Sequence, residues 1–139
     1  MSNDQNKKII QRLFNEGMNE KKFQVIDELI SEKYVNHGIP GSPAGVKGFK
    51  AIVEQFTSAF PDMKVNVQEI VADGDTVATR GFFTGTHKGD FMGIGATGKK
   101  VRVDYIDFWK MSNGKAVENW VQMDNVGLMQ QIGAAQQAF

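Results

Sequence analysis

The feature that most constrains this chain is a change of hydrophobic period near residue 60. Before it, apolar residues recur at helical spacing; after it, they alternate. Ile9, Ile10, Leu13, Phe14 and Met18 predict a helix over residues 5–18, broken at Asn19. Phe23, Ile26, Leu29 and Ile30 predict a second, shorter helix, closed by Tyr34-Val35-Asn36-His37. Gly38, Pro40, Gly41, Pro43 and Gly45 mark a loop. Val46, Phe49, Ile52, Val53, Phe56 and Phe60 predict a third helix, ended by Pro61-Asp62. Strands are then predicted over residues 63–71, 76–86, 101–111 and 115–124. Asp73-Gly74-Asp75 and Ser112-Asn113-Gly114 read as hairpin turns, and His87 to Gly98 as a glycine-rich loop. Residues 125–133 read as a short helical turn and 134–139 as a loose tail.

Helices first and hairpin-linked strands afterwards predict an α+β fold. Three N-terminal helices would pack into a strongly curved antiparallel sheet of four or more strands, leaving a cone-shaped pocket. The length of 139 residues predicts one domain over 1–139. A chain of this size buries roughly two thirds of its unfolded surface, enough for a core without staples.

Composition narrows the chemistry. Sixteen basic and sixteen acidic residues cancel, so no long-range field would draw in nucleic acid or an anionic membrane. The absence of Cys removes disulfides, thiolate metal sites and thiol nucleophiles. The polar stretch from Met1 to Arg12 lacks the apolar core of a signal peptide, and no apolar run approaches a membrane span. A cytoplasmic location is the resulting expectation.

Gly93-Ile94-Gly95-Ala96-Thr97-Gly98 fits G-x-G-x-x-G, but a strand-like segment follows it where phosphate binding needs a helix. The two histidines, His37 and His87, stand fifty residues apart with no ligand partner at close spacing. No metal and no cofactor are therefore expected. Ser42 and Ser112 lack the surroundings of a nucleophile elbow.

Carboxylates and an imidazole remain. Strand period places Val103, Tyr105, Asp107 and Trp109 on one face of a strand. A carboxylate between large aromatics is desolvated, which raises its pKa and suits it to proton transfer or to donating a hydrogen bond. The competing role for Asp107 is structural pairing with a hydroxyl or basic neighbour. Trp120, Gln122 and Asp124 share a face of the last strand and read as a polar pocket wall, or Asp124 simply caps the following helix. His37 is expected at the cavity rim, where its ordinary pKa permits acid–base work, or on the surface. Arg80 interrupts an apolar strand and reads as an outer-face or dimer-interface residue, the alternative being a contact to a substrate oxygen.

The order of these features resembles the SnoaL-like polyketide cyclases of the nuclear transport factor 2-like superfamily. The matching stretches are Tyr34-Val35-Asn36-His37, Gly45-Val46-Lys47-Gly48-Phe49, Phe60-Pro61-Asp62 and residues 73–80. Residues 85–99, Gly114-Lys115-Ala116-Val117-Glu118-Asn119-Trp120, Asp124 and residues 128–133 continue the likeness. It spans about residues 6–133. The superfold hosts isomerases, cyclases, hydrolases, dehydratases and non-catalytic binders.

The resemblance implies that Asp124 is the acid/base of the cyclases. Asp107 falls where related ketosteroid isomerases place an acid that donates to an oxyanion. No acid near the second and third helices matches the isomerase general base. The catalytic candidates are thus Asp124, Asp107 and His37. Tyr34, Trp109, Trp120, Gln122, Phe83 and Tyr105 are the candidate substrate-binding residues. The expected partner is a small hydrophobic carbonyl compound, handled by a cofactor-independent aldol-type cyclisation or isomerisation. The alternative is a non-catalytic ligand-binding or scaffold protein. Because helices can cover one sheet face only, Phe82, Ile106 and Phe108 would stand in water, so a homodimer through the outer sheet face is expected.

Overall fold

The computed structural model describes residues 2–39 and 41–133. The expected tail, 134–139, lies outside the described residues. A capping box opens helix α1 (Asn3–Arg12): Ser2 Oγ accepts from the Gln5 backbone N–H, and the Gln5 side chain accepts from the Ser2 N–H. The helix continues as a π-helical segment, Leu13–Asn19. Helices α2 (Phe23–Leu29) and α3 (Gly45–Ala59) follow, separated by strand β1 (Ile30–Asn36). The rest of the sheet is β2 (Lys64–Asp73), β3 (Thr76–Thr86), β4 (Lys100–Ser112) and β5 (Lys115–Met123), and helix α4 (Asn125–Gln131) ends the described chain.

The five strands run in the order β1-β5-β4-β3-β2. Four form an antiparallel meander; β1 joins the edge parallel to β5. The expectation that Tyr34 to His37 closes the second helix is therefore corrected. That helix ends at Leu29 and the chain becomes a strand at once. Turn chemistry sets the register of the meander. Residues Asn113 and Gly114 both have positive φ (51° and 78°), the geometry of a type I′ hairpin.

The helices fill one face of the curled sheet, as expected. Strand β4 shows why: Val101, Val103, Tyr105, Asp107, Trp109 and Met111 are buried, while the residues between them are exposed or half-buried. Helix α3 presents Val46, Phe49 and Val53 to this face. The other face carries Ile106 and Phe108, both more than half exposed, and Trp120 at 40%. Phe82, expected in water, is half-covered by the Arg102 guanidinium, 3.7 Å above its ring.

Two polar clamps fix the layers. Asn19 at the end of the π segment bonds the backbone of Val65 twice, through Nδ2 (2.8 Å) and Oδ1 (2.7 Å). The side chain of Gln131 does the same for Arg102, bonding its N–H at 2.7 Å and its carbonyl at 2.9 Å. This covers the end of β4 beyond its pairing with β5. The glycine-rich connection between β3 and β4 leads into a strand and not a helix, so it offers no helix N-terminus to a phosphate. It folds Phe91 inward against Phe56 and Phe60. No described helix is long and apolar enough to cross a membrane.

Candidate active site

Between the helices and the inner sheet face lies a cavity of about 90 Å³. That is several times the roughly 10–15 Å³ by which one water is accommodated on the same kind of measure. Its walls are mostly apolar, from Phe14, Met18, Phe49, Phe56, Phe83 and Val121. Polar groups reach it from Asp107, Tyr105, Asn119, Asn36, Asn19 and Thr57, and Asp107 is the sole charged residue among them.

The π segment shapes one wall. Its wider winding, seen in the Glu20 N–H to Asn15 carbonyl bond, brings Phe14, Met18 and Asn19 to the cavity. The loop after β1 supplies another. Asn36 Oδ1 accepts from the backbone N–H groups of Gly38 (2.8 Å) and Ile39 (3.1 Å), turning the chain sharply. Gly38 then lies so close to the Val121 backbone that a Cβ would meet its carbonyl oxygen at 2.3 Å.

The chemistry gathers on β3 and β4. Their pairing sets Thr79 directly opposite Asp107, with Tyr105 two residues away on the same face. Thr79 Oγ1 donates to Asp107 Oδ1 at 2.6 Å and lies 3.0 Å from the Tyr105 hydroxyl. All three residues are at most 7% exposed. Burial pushes the Asp107 carboxyl up to about 7, although the Thr79 hydroxyl and the nearby Trp109 indole N–H favour its ionised form. Trp109 Nε1 itself has no hydrogen bond of ordinary geometry. Burial also pushes the Tyr105 phenol up to about 12, against the Thr79 bond and with the Asp107 charge. Tyr34 is raised by burial as well. Its hydroxyl donates to Asn119 Oδ1 at 3.4 Å, and Asn119 Nδ2 donates to the Phe108 carbonyl at 3.0 Å.

The structure thus brings together Asp107, Tyr105, Trp109 and Phe83 from the sequence-derived set. Tyr34 stands behind them, fully buried and packed edge-on against Phe49 at 5.4 Å. Four candidates fall elsewhere. Trp120, Gln122 and Asp124 lie on the exposed side of β5 or just past its end, while Asn119, Val121 and Met123 face the cavity. The expected pocket wall is therefore the opposite face of that strand. Asp124 takes the capping role: its carboxylate accepts from the Gly127 N–H at 2.8 Å at the start of α4. The position implied by resemblance, an acid/base group in the cavity, is not the one it occupies. His37 also lies outside the cavity lining. Its ring stacks on Trp120 at 4.7 Å, and Nε2 is 2.9 Å from Glu118 Oε2.

Sequence reasoning missed Thr79, Asn119 and the π segment. Thr79 was legible as an inward residue of its strand. Its pairing with Asp107 was not, because a thirteen-residue connection separates the strands (residues 87–99) and leaves their register open.

Solved structures share the whole architecture. TsrD from Streptomyces laurentii is 25% identical with a TM-score of 0.88, the alignment covering 96% of this chain and 98% of that one. IdmH from Streptomyces antibioticus, a proposed polyketide cyclase, is 33% identical with a TM-score of 0.81, covering 93% and 99%. AclR from Streptomyces galilaeus, a proposed hydroxylase, is 26% identical with a TM-score of 0.84, covering 95% and 83%. No curated protein sequence matches the chain significantly. The family model for SnoaL-like polyketide cyclases matches residues 8–132, and the chain belongs to that family.

Proposed function

We propose that the protein is a cofactor-independent enzyme that moves a proton on a small apolar carbonyl compound, with Asp107 as the acid/base group. The observation that carries this is a buried carboxyl, raised to about 7, in a cavity whose other described lining residues are uncharged. A base poised near the operating pH is half ionised there and can both take and return a proton. The ionised carboxylate takes a hydrogen from the carbon next to a carbonyl. The C–H electron pair moves into the carbonyl to give an enolate. The enolate carbon then attacks a second carbonyl of the same molecule, and the carboxyl returns its proton to the new alkoxide. Apolar walls favour this by keeping water from the enolate.

Exchange of carbon-bound hydrogen for deuterium measures the first step without the natural substrate. With 2-tetralone as probe ketone, the protein should accelerate exchange at the carbon beside its carbonyl. Asp107→Asn should lower that acceleration by about 10²-fold or more. Full exchange by the asparagine variant overturns the reading. Tight probe binding without acceleration makes the protein a binder.

A second copy of the chain is proposed as the partner on the outer face. Phe108 pairs across strands with Trp120, and Ile106 stands beside them. Such a cluster in water favours association through a two-fold contact. Sedimentation at micromolar concentration should give about twice 15.4 kDa, and Phe108→Lys should return the mass to 15.4 kDa. Wild-type protein at 15.4 kDa overturns the proposal.

A further inference from the structure

Thr79, Tyr105 and Asp107 form an unbranched chain of three oxygens, and counting its hydrogens has a chemical consequence. With Asp107 ionised there are two hydroxyl hydrogens for two bonds. Tyr105 donates to Thr79, and Thr79 donates to Asp107 Oδ1. The Tyr105 hydrogen is then engaged, and this chain offers the cavity acceptors only. Among the described residues no hydrogen bond of ordinary geometry reaches Asp107 Oδ2, although the Trp109 indole N–H lies near the carboxylate and favours its ionised form, and Oδ2 is not among the fully enclosed atoms without a partner. That oxygen is the free acceptor.

One added proton gives three hydrogens for the same two bonds. One hydrogen is left over, on Oδ2 or, with the chain reversed, on the Tyr105 oxygen. We propose that Thr79 is a positioning residue that couples Tyr105 to Asp107, so that the site gains one O–H donor, aimed at a carbonyl or enolate oxygen, when Asp107 gains a proton. The proposal rests on the acid/base reading of Asp107 and deepens it. The proton that Asp107 takes from carbon would itself create the donor for the enolate oxygen formed in that step. Donors aimed at developing charge are what such chemistry requires.

The nearest other donor is the Trp109 indole N–H, which makes no hydrogen bond of ordinary geometry and does not change with the protonation of Asp107. The titratable residues facing Asp107 are Tyr34 from β1 and Tyr105 from its own strand. The π segment and α3 offer Phe14 and Phe49, and β5 offers the neutral Asn119. Among the described residues no other charged one lines the cavity.

The full chain has two tyrosines, so ring-labelled Tyr105 can be followed by carbon NMR, with Tyr34→Phe to assign it. In the wild type, the Tyr105 ring carbon bearing oxygen should shift with the same pH midpoint as the Asp107 carboxyl carbon. Thr79→Ser keeps the hydroxyl and should keep the shared midpoint. Thr79→Val should raise the Asp107 midpoint by about one unit, because the bond favouring the carboxylate is gone, and should shrink the Tyr105 inflection to the through-space effect of the Asp107 charge. Thr79→Ala carries the same expectation if the valine variant does not fold. A Tyr105 signal indifferent to the Asp107 midpoint in the wild type overturns the coupling. So does a valine or alanine variant that titrates like the wild type. This readout needs no turnover. Full exchange by Asp107→Asn would sink the acid/base reading alone, whereas an unchanged titration with an inactive asparagine variant would sink the coupling alone.

Discussion

The two faces of the sheet carry similar residues and opposite chemistry. On the inner face Asp107 stands beside Trp109 and Tyr105, buried at the cavity wall and held by Thr79. Around the outer face Glu118 and His37 stand beside Trp120, each part-exposed, their contacts open to solvent. Both groups pair an acid with an aromatic. Only burial separates them, and burial pushes one carboxyl up to about 7. Aspartates show the same contrast. Asp107 is confined to a cavity, while Asp124, one residue past β5, spends its carboxylate on a helix cap. Residue type and neighbours in sequence do not decide burial here; the side of the strand does.

The largest expected effect breaks this contrast directly. Asp107→Asn should lower deuterium exchange by about 10²-fold or more. Asp124→Asn and His37→Gln should change it less than about twofold, since neither residue lines the cavity. Parallel losses in all three would mean that the outer groups reach the reaction.

Stability against pH sharpens the same comparison. The unfolded Asp107 carboxyl titrates near 3.8 and the folded one near 7, so between those values the folded state holds more protons. Its contribution to stability is present in full below about pH 4 and is lost as pH rises towards 7, by at most about 4 kcal/mol. Asp62 and Asp75 have the opposite sign. Thr86 bonds hold Asp62 below its usual range and Lys110 does so for Asp75, so their contributions are lost in acid, at lower pH. Denaturant midpoints from pH 4 to 8 should fall for the wild type and lose most of that slope in Asp107→Asn. An equal slope in both would show that Asp107 is not the buried acid.

The sequence shows best where burial alternates without a break. Strand β4 repeats in and out over its length, and its inner face, with Asp107, could be read directly. Strand β5 could not. Its pairing with β4 shifts between Lys110 and Met111, so Ala116 and Asn119, three residues apart, both point inward. Beyond the shift the two candidate faces were Trp120 with Gln122, and Val121 with Met123. An aromatic and an acid look more like a site than Asn119, Val121 and Met123 do, and that preference chose the outer face. Strand β1 was hidden for another reason. It follows Leu29 without a turn residue, and its middle, Ser31 to Lys33, is polar because it is an edge strand. The π segment leaves no mark in the apolar spacing, because Leu13, Phe14 and Met18 also fit an α-helix.

The smallest effect isolates what Asp124 does. Its carboxylate oxygen accepts from the Gly127 N–H at 2.8 Å, satisfying one of the free donors that open α4. That helix is seven residues long and is held to the sheet by the Gln131 clamp and the buried Leu128. Removing a cap of this kind costs about 1 kcal/mol, so Asp124→Ala should lower unfolding stability by that amount. Asp124→Asn keeps an accepting oxygen and should restore most of it, because asparagine caps about as well. A structural cap predicts this pattern: alanine destabilises, asparagine rescues, and exchange is untouched by both. An acid/base group differs in the exchange alone, since asparagine would keep the stability but lose the proton transfer.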